Sequence, residues 1–242
     1  RQVRLFASGV FMFYSAGWMA TMLLAVSRIL EVVLETESNT DAILMIVVVG
    51  ALATLYTAVG GVKAVIWTDT IQAFALGGGL FVLLFFIVAQ IDGGWSVLIT
   101  RGMEADKFEM FATGGGWGER NVYSACAYGF VIYLGSQVAT YGGFQRYVTV
   151  DTITDARRSL YVKGLFTLFA CTLFFLVGTA LYVFYQQSAE TLETFDKMAA
   201  GKSKDQLLPH FVVHYATGFG MTGLLLAGLF AAAMSSLDSG IN

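Results

Sequence analysis

The stretch from residue 62 to residue 91, VKAVIWTDTIQAFALGGGLFVLLFFIVAQI, is almost entirely apolar and carries only two charged side chains, Lys63 and Asp69. The hydrocarbon core of a bilayer is about 30 Å thick, and roughly 20 residues of α-helix cross it at a rise of about 1.5 Å per residue. Because a backbone in lipid must satisfy its own hydrogen bonds, this stretch is predicted to be a membrane-spanning helix.

The composition of the whole chain points the same way. Of its 242 residues, 57% are hydrophobic and 13% are charged, whereas soluble domains have roughly 45–50% and about 25%. So few charged side chains cannot cover a soluble surface. The net charge of −3 excludes a basic nucleic-acid-binding protein, and the long apolar runs disfavour a β-barrel. We expect an all-α polytopic membrane protein whose partner is the lipid bilayer and which binds no nucleic acid.

Six stretches, including the one above, are long and apolar enough, or nearly so, to be predicted as spans. They are about Leu5–Leu30, Ala42–Val59, Val62–Ile91, Val122–Val148, Leu160–Tyr185 and His210–Asn242. Only Gly60-Gly61 separates the second from the third, so a two-residue turn is predicted there. The chain begins without Met and ends without a polar tail. We therefore expect an internal fragment that holds one incomplete transmembrane domain, residues 1–242.

The charges between these spans alternate in sign. Basic residues dominate at the N-terminus, at Lys63 and in the link from Arg146 to Lys163, whereas the loops after the first, third and fifth spans have an acidic excess. Basic loops face the cytoplasm, so the acidic loops are predicted to face outward. Within the basic link, Thr152 and Asp155 have the spacing of a capping box for a short helix; a solvated loop is the alternative.

Two acidic residues fall inside or near the ends of predicted spans, where ionisable groups are rare and usually functional. Asp69 lies about one and a half turns beyond Lys63, and Asp238 lies near the end of the sixth span. Each also has a structural interpretation. Asp69 could pair with Lys63 or with a neighbouring helix, and Asp238 could be a helix-end residue in water.

The run from residue 231 to residue 239, AAAMSSLDS, combines small side chains with hydroxyls. On a helix, Ala232, Ser235, Ser236 and Ser239 lie at i, i+3, i+4 and i+7, which is one face. Hydroxyl and carbonyl oxygens suit hard cations, and few carboxylates make binding weak and reversible, as a transported ion requires. The alternative is a packing face whose hydroxyls bond to the preceding turn. The residues by themselves favour neither.

Three segments resemble the sodium:solute symporter family. The stretch from residue 56 to residue 72, YTAVGGVKAVIWTDTIQ, is similar to the family signature. Gln145-Arg146-Tyr147 with Ala156-Arg157 resembles the segment after the sixth core helix, and residues 232–242 resemble the eighth. The resemblance implies a LeuT-type fold of two five-helix inverted repeats, of which the six spans would be about core helices three to eight.

The resemblance also implies sites for a sodium ion. Ala232, through its backbone carbonyl, Ser235 and Ser236 match the principal sodium site. Asp69 matches an acid used for a second sodium site or for ion exit, and Ser235 and Ser239 match its hydroxyl partners. Asp238 stands where members with two sodium sites often have serine, so its carboxylate either strengthens the second site or replaces its ion.

The fourth span is expected to line the pocket for a small-molecule solute. Its candidate contacts are Tyr133, Ser136, Gln137 and Thr140. In an ungapped alignment, Tyr133 and Thr167 occupy the positions where sugar-carrying members have pocket Asn and Lys, which disfavours a sugar.

The function that the resemblance implies is sodium-coupled symport of a small polar or anionic organic solute across the plasma membrane by alternating access. The alternative is a sodium- or solute-sensing transmembrane input module of a sensor kinase. An enzyme is not expected, because the chain has no nucleophile–base set. His210 and His214, at i and i+4, could ligate a metal or anchor a helix at the interface. The oligomeric state is not specified by the sequence.

Overall fold

The computed structural model describes residues 2–33, 39–109, 111–116, 118–119, 121–138, 150, 152–200, 206–216 and 220–241. Over these residues the chain is helical and has no strand. The helices are α1 (Gln2–Val33), α2 (Asn39–Ala89), α3 (Gly94–Glu104), α4 (Val122–Val138), α5 (Ile153–Tyr185), α6 (Ala189–Ala200), α7 (Leu207–His214) and α8 (Met221–Ile241).

Three helical segments in the described ranges are long and apolar enough to cross a membrane: Gln2–Ser27, Val65–Ala89 and Ile153–Tyr185. Shorter apolar segments occur at Ile46–Leu55, Val122–Gly135 and Met221–Leu237. The apolar segments therefore coincide with the six stretches that the sequence predicts as spans. Three reach membrane length here, and the count of six crossings stays a prediction.

The turn predicted at Gly60-Gly61 is wrong, because α2 is one continuous helix through both residues. Its 51 residues correspond to about 76 Å at 1.5 Å per residue, nearly twice the roughly 40–45 Å thickness of a bilayer with its headgroups. Glycine costs only about 1 kcal/mol relative to alanine inside a helix and keeps its backbone N–H, so two glycines without proline do not force a break.

The helix cap predicted at Thr152 is confirmed, but the helix that it starts is not short. The Asp155 backbone N–H donates to the Thr152 hydroxyl at 3.1 Å, and that hydroxyl donates to the Asp155 carboxylate at 2.6 Å. From this cap, α5 runs without a break to Tyr185. The first turns of α5 therefore occupy part of what was expected to be a separate link, whereas the start of the membrane span at about Leu160 stays a prediction.

Short helices lie in segments that the sequence analysis left as loops. In α3, Gly93 adopts a left-handed φ of 93° at the N-cap, and a Cβ there would collide with the side chain of Val97. The sixth predicted span divides into α7 and α8, with α7 ending at His214 and α8 beginning at Met221. These helices gather at one end of the bundle.

The hydrophobic core fills that same end. It combines the last turns of α2, the end of α5, α7 and the start of α8, and its largest fully buried side chains include Tyr185, Phe211 and Ile87. Phe184 meets Phe211 edge-to-face with ring centres 4.8 Å apart. This packing holds one end of α2 and α8 together and leaves the polar residues of both helices toward the other end.

Candidate functional site

The interface between α2 and α8 positions the candidate ion site. A Cβ at Gly79 would lie 3.5 Å from the side chain of Leu224, and one at Gly228 would lie 3.6 Å from that of Leu76. A step of three residues back along α2 thus matches a step of four forward along α8, so the two helices run antiparallel. The absence of side chains at the two glycines permits this close approach.

The same register relates the two polar segments. Two further turns along the interface correspond to seven residues back from Leu76 on α2 and seven residues forward from Gly228 on α8. This register places Asp69 level with Ser235. Asp69, Gln72 and Leu76 lie at i, i+3 and i+7, which is one face of α2, and Leu76 on that face meets α8. Trp67 projects elsewhere, with 65% of its surface exposed.

Three members of the predicted hydroxyl face, Ala232, Ser235 and Ser236, lie in the described part of α8. The Ser236 hydroxyl donates to the Ala232 carbonyl at 3.0 Å, Ala232 is exposed, and Ser235 and Ser236 are half-buried. On the other side of the helix, Ala233 and Leu237 are buried, and Ala233 packs with Val26 of α1. A hydroxyl that bonds to the preceding turn is what the alternative interpretation, a helix-packing face, predicts. The same bond also places two oxygens side by side on an accessible face.

The acidic side of the interface contains a residue that the sequence analysis missed. Asp69 is half-buried and its Oδ1 atom is shielded from solvent. Gln72 is also half-buried, and its Oε1 atom is buried with no hydrogen bond from the part of the chain that the structure describes. A polar amide three residues after an acid in an apolar helix was the available signal, because that spacing places both on one face.

The remaining site residues predicted from the sequence are not brought to this interface by the described structure. Asp238 and Ser239 belong to the last turns of α8, and Ser136 and Gln137 to the end of α4, but their side chains lie outside the described parts. Thr140 lies outside the described residues altogether. Tyr133 lies on α4 with 47% of its surface exposed, and the extensive helix–helix packing seen in the described ranges does not include α4.

Comparison with known proteins agrees with this architecture. The sequence model of the Sodium:solute symporter family matches residues 1–242. The chain belongs to the sodium:solute symporter family. The identification rests on the full length of the chain, and the three motif segments lie within the matched range.

Relatives within this family are named as symporters and transporters. The chain is 33% identical to the sodium/sialic acid symporter SiaT of Proteus mirabilis, over 99% of this chain and 46% of the relative. It is 29% identical to the sodium/sialic acid symporter NanT of Aliivibrio fischeri, over 100% of this chain and 46% of the relative. It is 28% identical to the sodium-dependent multivitamin transporter of Oryctolagus cuniculus, over 99% of this chain and 36% of the relative. The chain thus spans about half the length of the first two.

A solved structure gives the same result for the fold. The substrate-bound outward-open state of a Na⁺-coupled sialic acid symporter, described as revealing a novel Na⁺ site, superposes with a TM-score of 0.77 at 32% identity. The match covers 99% of this chain and 48% of the other. The predicted fold class is therefore confirmed: the chain is part of an all-α, multi-pass membrane protein with a LeuT-type fold, in a family of transporters and not of enzymes.

Proposed function

We propose that the protein containing this chain is a sodium-coupled symporter that carries a small organic anion across the plasma membrane by alternating access. The observation that carries the proposal is the family match along all 242 residues. The polar faces of α2 and α8, which lie at the same height along the helix pair, support it. The relatives reported above are named as transporters, which favours transport over the sensor-module alternative.

In this proposal, α8 supplies the principal sodium site. The Ala232 carbonyl and the Ser236 hydroxyl, 3.0 Å apart, and the Ser235 hydroxyl are neutral oxygen ligands. Neutral oxygens bind a hard cation without the strong attraction of several carboxylates, so the ion can leave again during each cycle. Sodium is cargo here, since it must enter from one side and leave on the other.

The α2 face would serve a second sodium ion or the exit of the first. Asp69 contributes a negative charge at the level of Ser235, and Gln72 contributes a buried amide oxygen one turn away. Ser239 and Asp238 follow on the next turn of α8. A sodium ion that favours one conformation of these two helices would couple its own gradient to the affinity for solute, because such coupling is reciprocal.

The energy available for accumulation depends on the number of sodium ions that accompany each solute anion. A membrane potential of 100 mV contributes about 2.3 kcal/mol per charge moved, and a tenfold sodium ratio contributes about 1.4 kcal/mol. When one sodium ion accompanies a solute that carries one negative charge, no net charge moves, so a tenfold sodium ratio alone sustains about a tenfold solute ratio. Each further sodium ion per cycle multiplies that ratio by on the order of a few hundredfold.

The solute is proposed to be a carboxylate-bearing compound. Relatives are named for sialic acid and for monocarboxylates, and both names denote acids. Tyr133, Ser136, Gln137 and Thr140 are the proposed pocket residues, on and just after α4, where hydroxyl and amide donors could hydrogen-bond a carboxylate.

Uptake by the full-length protein in proteoliposomes tests the function. Radiolabelled sialic acid and a labelled monocarboxylate would be offered under an inward sodium gradient and, as a matched control, under an inward potassium gradient. At least one acid should accumulate only with sodium, and a sodium ionophore should abolish the accumulation. Equal uptake with potassium would refute sodium coupling.

A further inference from the structure

The sequence contains two histidines, and both lie on the short helix α7. His210 and His214 are four residues apart, so they share one face of the helix. Their ring centres are 4.3 Å apart. His210 is half-buried and His214 is exposed, so the pair has one side supported by protein and one side open to water.

A buried tyrosine determines which nitrogen of His210 is available. The Tyr185 hydroxyl lies 3.1 Å from the Leu207 carbonyl and 2.9 Å from Nδ1 of His210. A carbonyl can only accept, so when the Tyr185 hydroxyl donates to Leu207, Nδ1 of His210 carries the hydrogen and donates it to the tyrosine oxygen. The neutral ring then has an unprotonated Nε2 whose lone pair is directed away from Tyr185.

We propose that His210 and His214 form a binding site for a divalent transition-metal ion such as Cu²⁺, Ni²⁺ or Zn²⁺, with water completing the coordination. Two imidazoles that share one ion hold their nitrogens about 2.0–2.1 Å from it. Ring centres 4.3 Å apart place the two imidazoles within reach of one shared ion. Paired histidines at i and i+4 on a helix are an established way to bind zinc.

The surroundings support a metal of this class over a hard cation. Imidazole nitrogen suits copper, nickel and zinc, whereas sodium, magnesium and calcium prefer oxygen. Among the residues described, no cluster of three or more His, Cys, Asp or Glu side chains occurs, and the proposal rests on the two histidines.

Tyr185 is a positioning residue for this site. Its side chain is fully buried, so the hydroxyl that receives the His210 hydrogen is fixed by the core and not by solvent. Hydrogen bonds to the non-ligating nitrogen of a metal-binding histidine typically change metal affinity 10–100-fold.

Isothermal titration calorimetry of the full-length protein, purified without a histidine tag, tests the proposal with NiCl₂, CuCl₂, ZnCl₂ and MgCl₂. His214→Gln is the main variant, because the side chain is exposed and its loss should not disturb folding. The wild type should bind about one more transition-metal ion per chain than this variant, with Cu²⁺ tighter than Ni²⁺ or Zn²⁺. His210→Gln should weaken binding at least about tenfold.

Two further variants complete the test. Lys197→Gln on α6 alters an exposed charge on the same side of the protein and should leave the metal isotherm unchanged. Tyr185→Phe should weaken binding about tenfold; its folding is checked by comparing its thermal unfolding with that of the wild type. The proposal is overturned if His214→Gln binds the same number of transition-metal ions as the wild type with the same affinity. A folded Tyr185→Phe with wild-type affinity would refute the positioning role.

Discussion

Replacing Ser236 with alanine removes one of the two oxygens that α8 places 3.0 Å apart. The cost to folding should be small. The hydroxyl is half-buried, and its bond to the Ala232 carbonyl is a local bond to the preceding turn, which adds little to helix stability. We expect the free energy of unfolding to change by no more than about 0.5 kcal/mol.

The effect on sodium should be much larger. A hydrogen bond to a charged group contributes about 1.5–3 kcal/mol, and we take the lower end for a neutral oxygen that meets a monovalent ion. At about 1.4 kcal/mol per factor of ten, the sodium concentration for half-maximal uptake should rise about tenfold. The maximal rate at saturating sodium should change less, because the variant alters ion affinity and leaves the solute pocket intact.

Initial uptake rates in proteoliposomes, measured against external sodium at fixed membrane potential, give this number directly. Ser159→Ala is the matched control, because that hydroxyl also donates to the preceding turn, to the Ala156 carbonyl at 2.8 Å, and lies on α5 away from the site. The control should stay within about twofold of the wild type. An unchanged half-activation concentration in Ser236→Ala would refute the ligand role. An equal rise in both variants would show a general effect of lost hydroxyls.

Three other substitutions examine separate parts of the molecule. Asp69→Asn keeps the size of the side chain and removes its charge, so the Hill coefficient for sodium or the ratio of charge flux to solute flux should fall; unchanged values would exclude a second ion at this acid. Phe211→Ala removes a fully buried ring that packs on Phe184 and should destabilise the purified protein by about 3–5 kcal/mol, seen as a lower thermal midpoint; an unaltered midpoint would contradict the core assignment. Thr152→Ala removes the N-cap of α5 and should cost about 1 kcal/mol, detected as faster hydrogen exchange in the first turn of α5 only.

Local signals predicted much of the helical structure. The long apolar runs coincide with helices, and Thr152 with Asp155 caps a helix as the spacing indicates. The errors have local causes too. Gly60 and Gly61 were interpreted as a turn, but glycine lowers helix stability without preventing a helix. Helices α6 and α7 are short, and such short segments form mainly through packing on a core.

The candidate site divides in the same way. Ala232, Ser235 and Ser236 could be placed on one face from the sequence, because helix periodicity alone assigns the face. That Asp69 lies level with Ser235 could not be predicted from the residues alone, since it depends on the register between α2 and α8. The spacing of Gln72 from Asp69 was a signal for a shared helix face, but the burial of its amide oxygen depends on packing against other helices and is seen only in the structure.

The amino-acid sequence by itself determined that this chain is an apolar, helical member of the sodium:solute symporter family, because hydropathy, periodicity and motif order are properties of neighbouring residues. Only the tertiary structure decided which helices meet and at what level. The close approach at Gly79 and Gly228 and the hydroxyl of Tyr185 between Leu207 and His210 join residues far apart in the chain. Such contacts depend on how side chains of distant segments fit together in three dimensions, which no local pattern encodes.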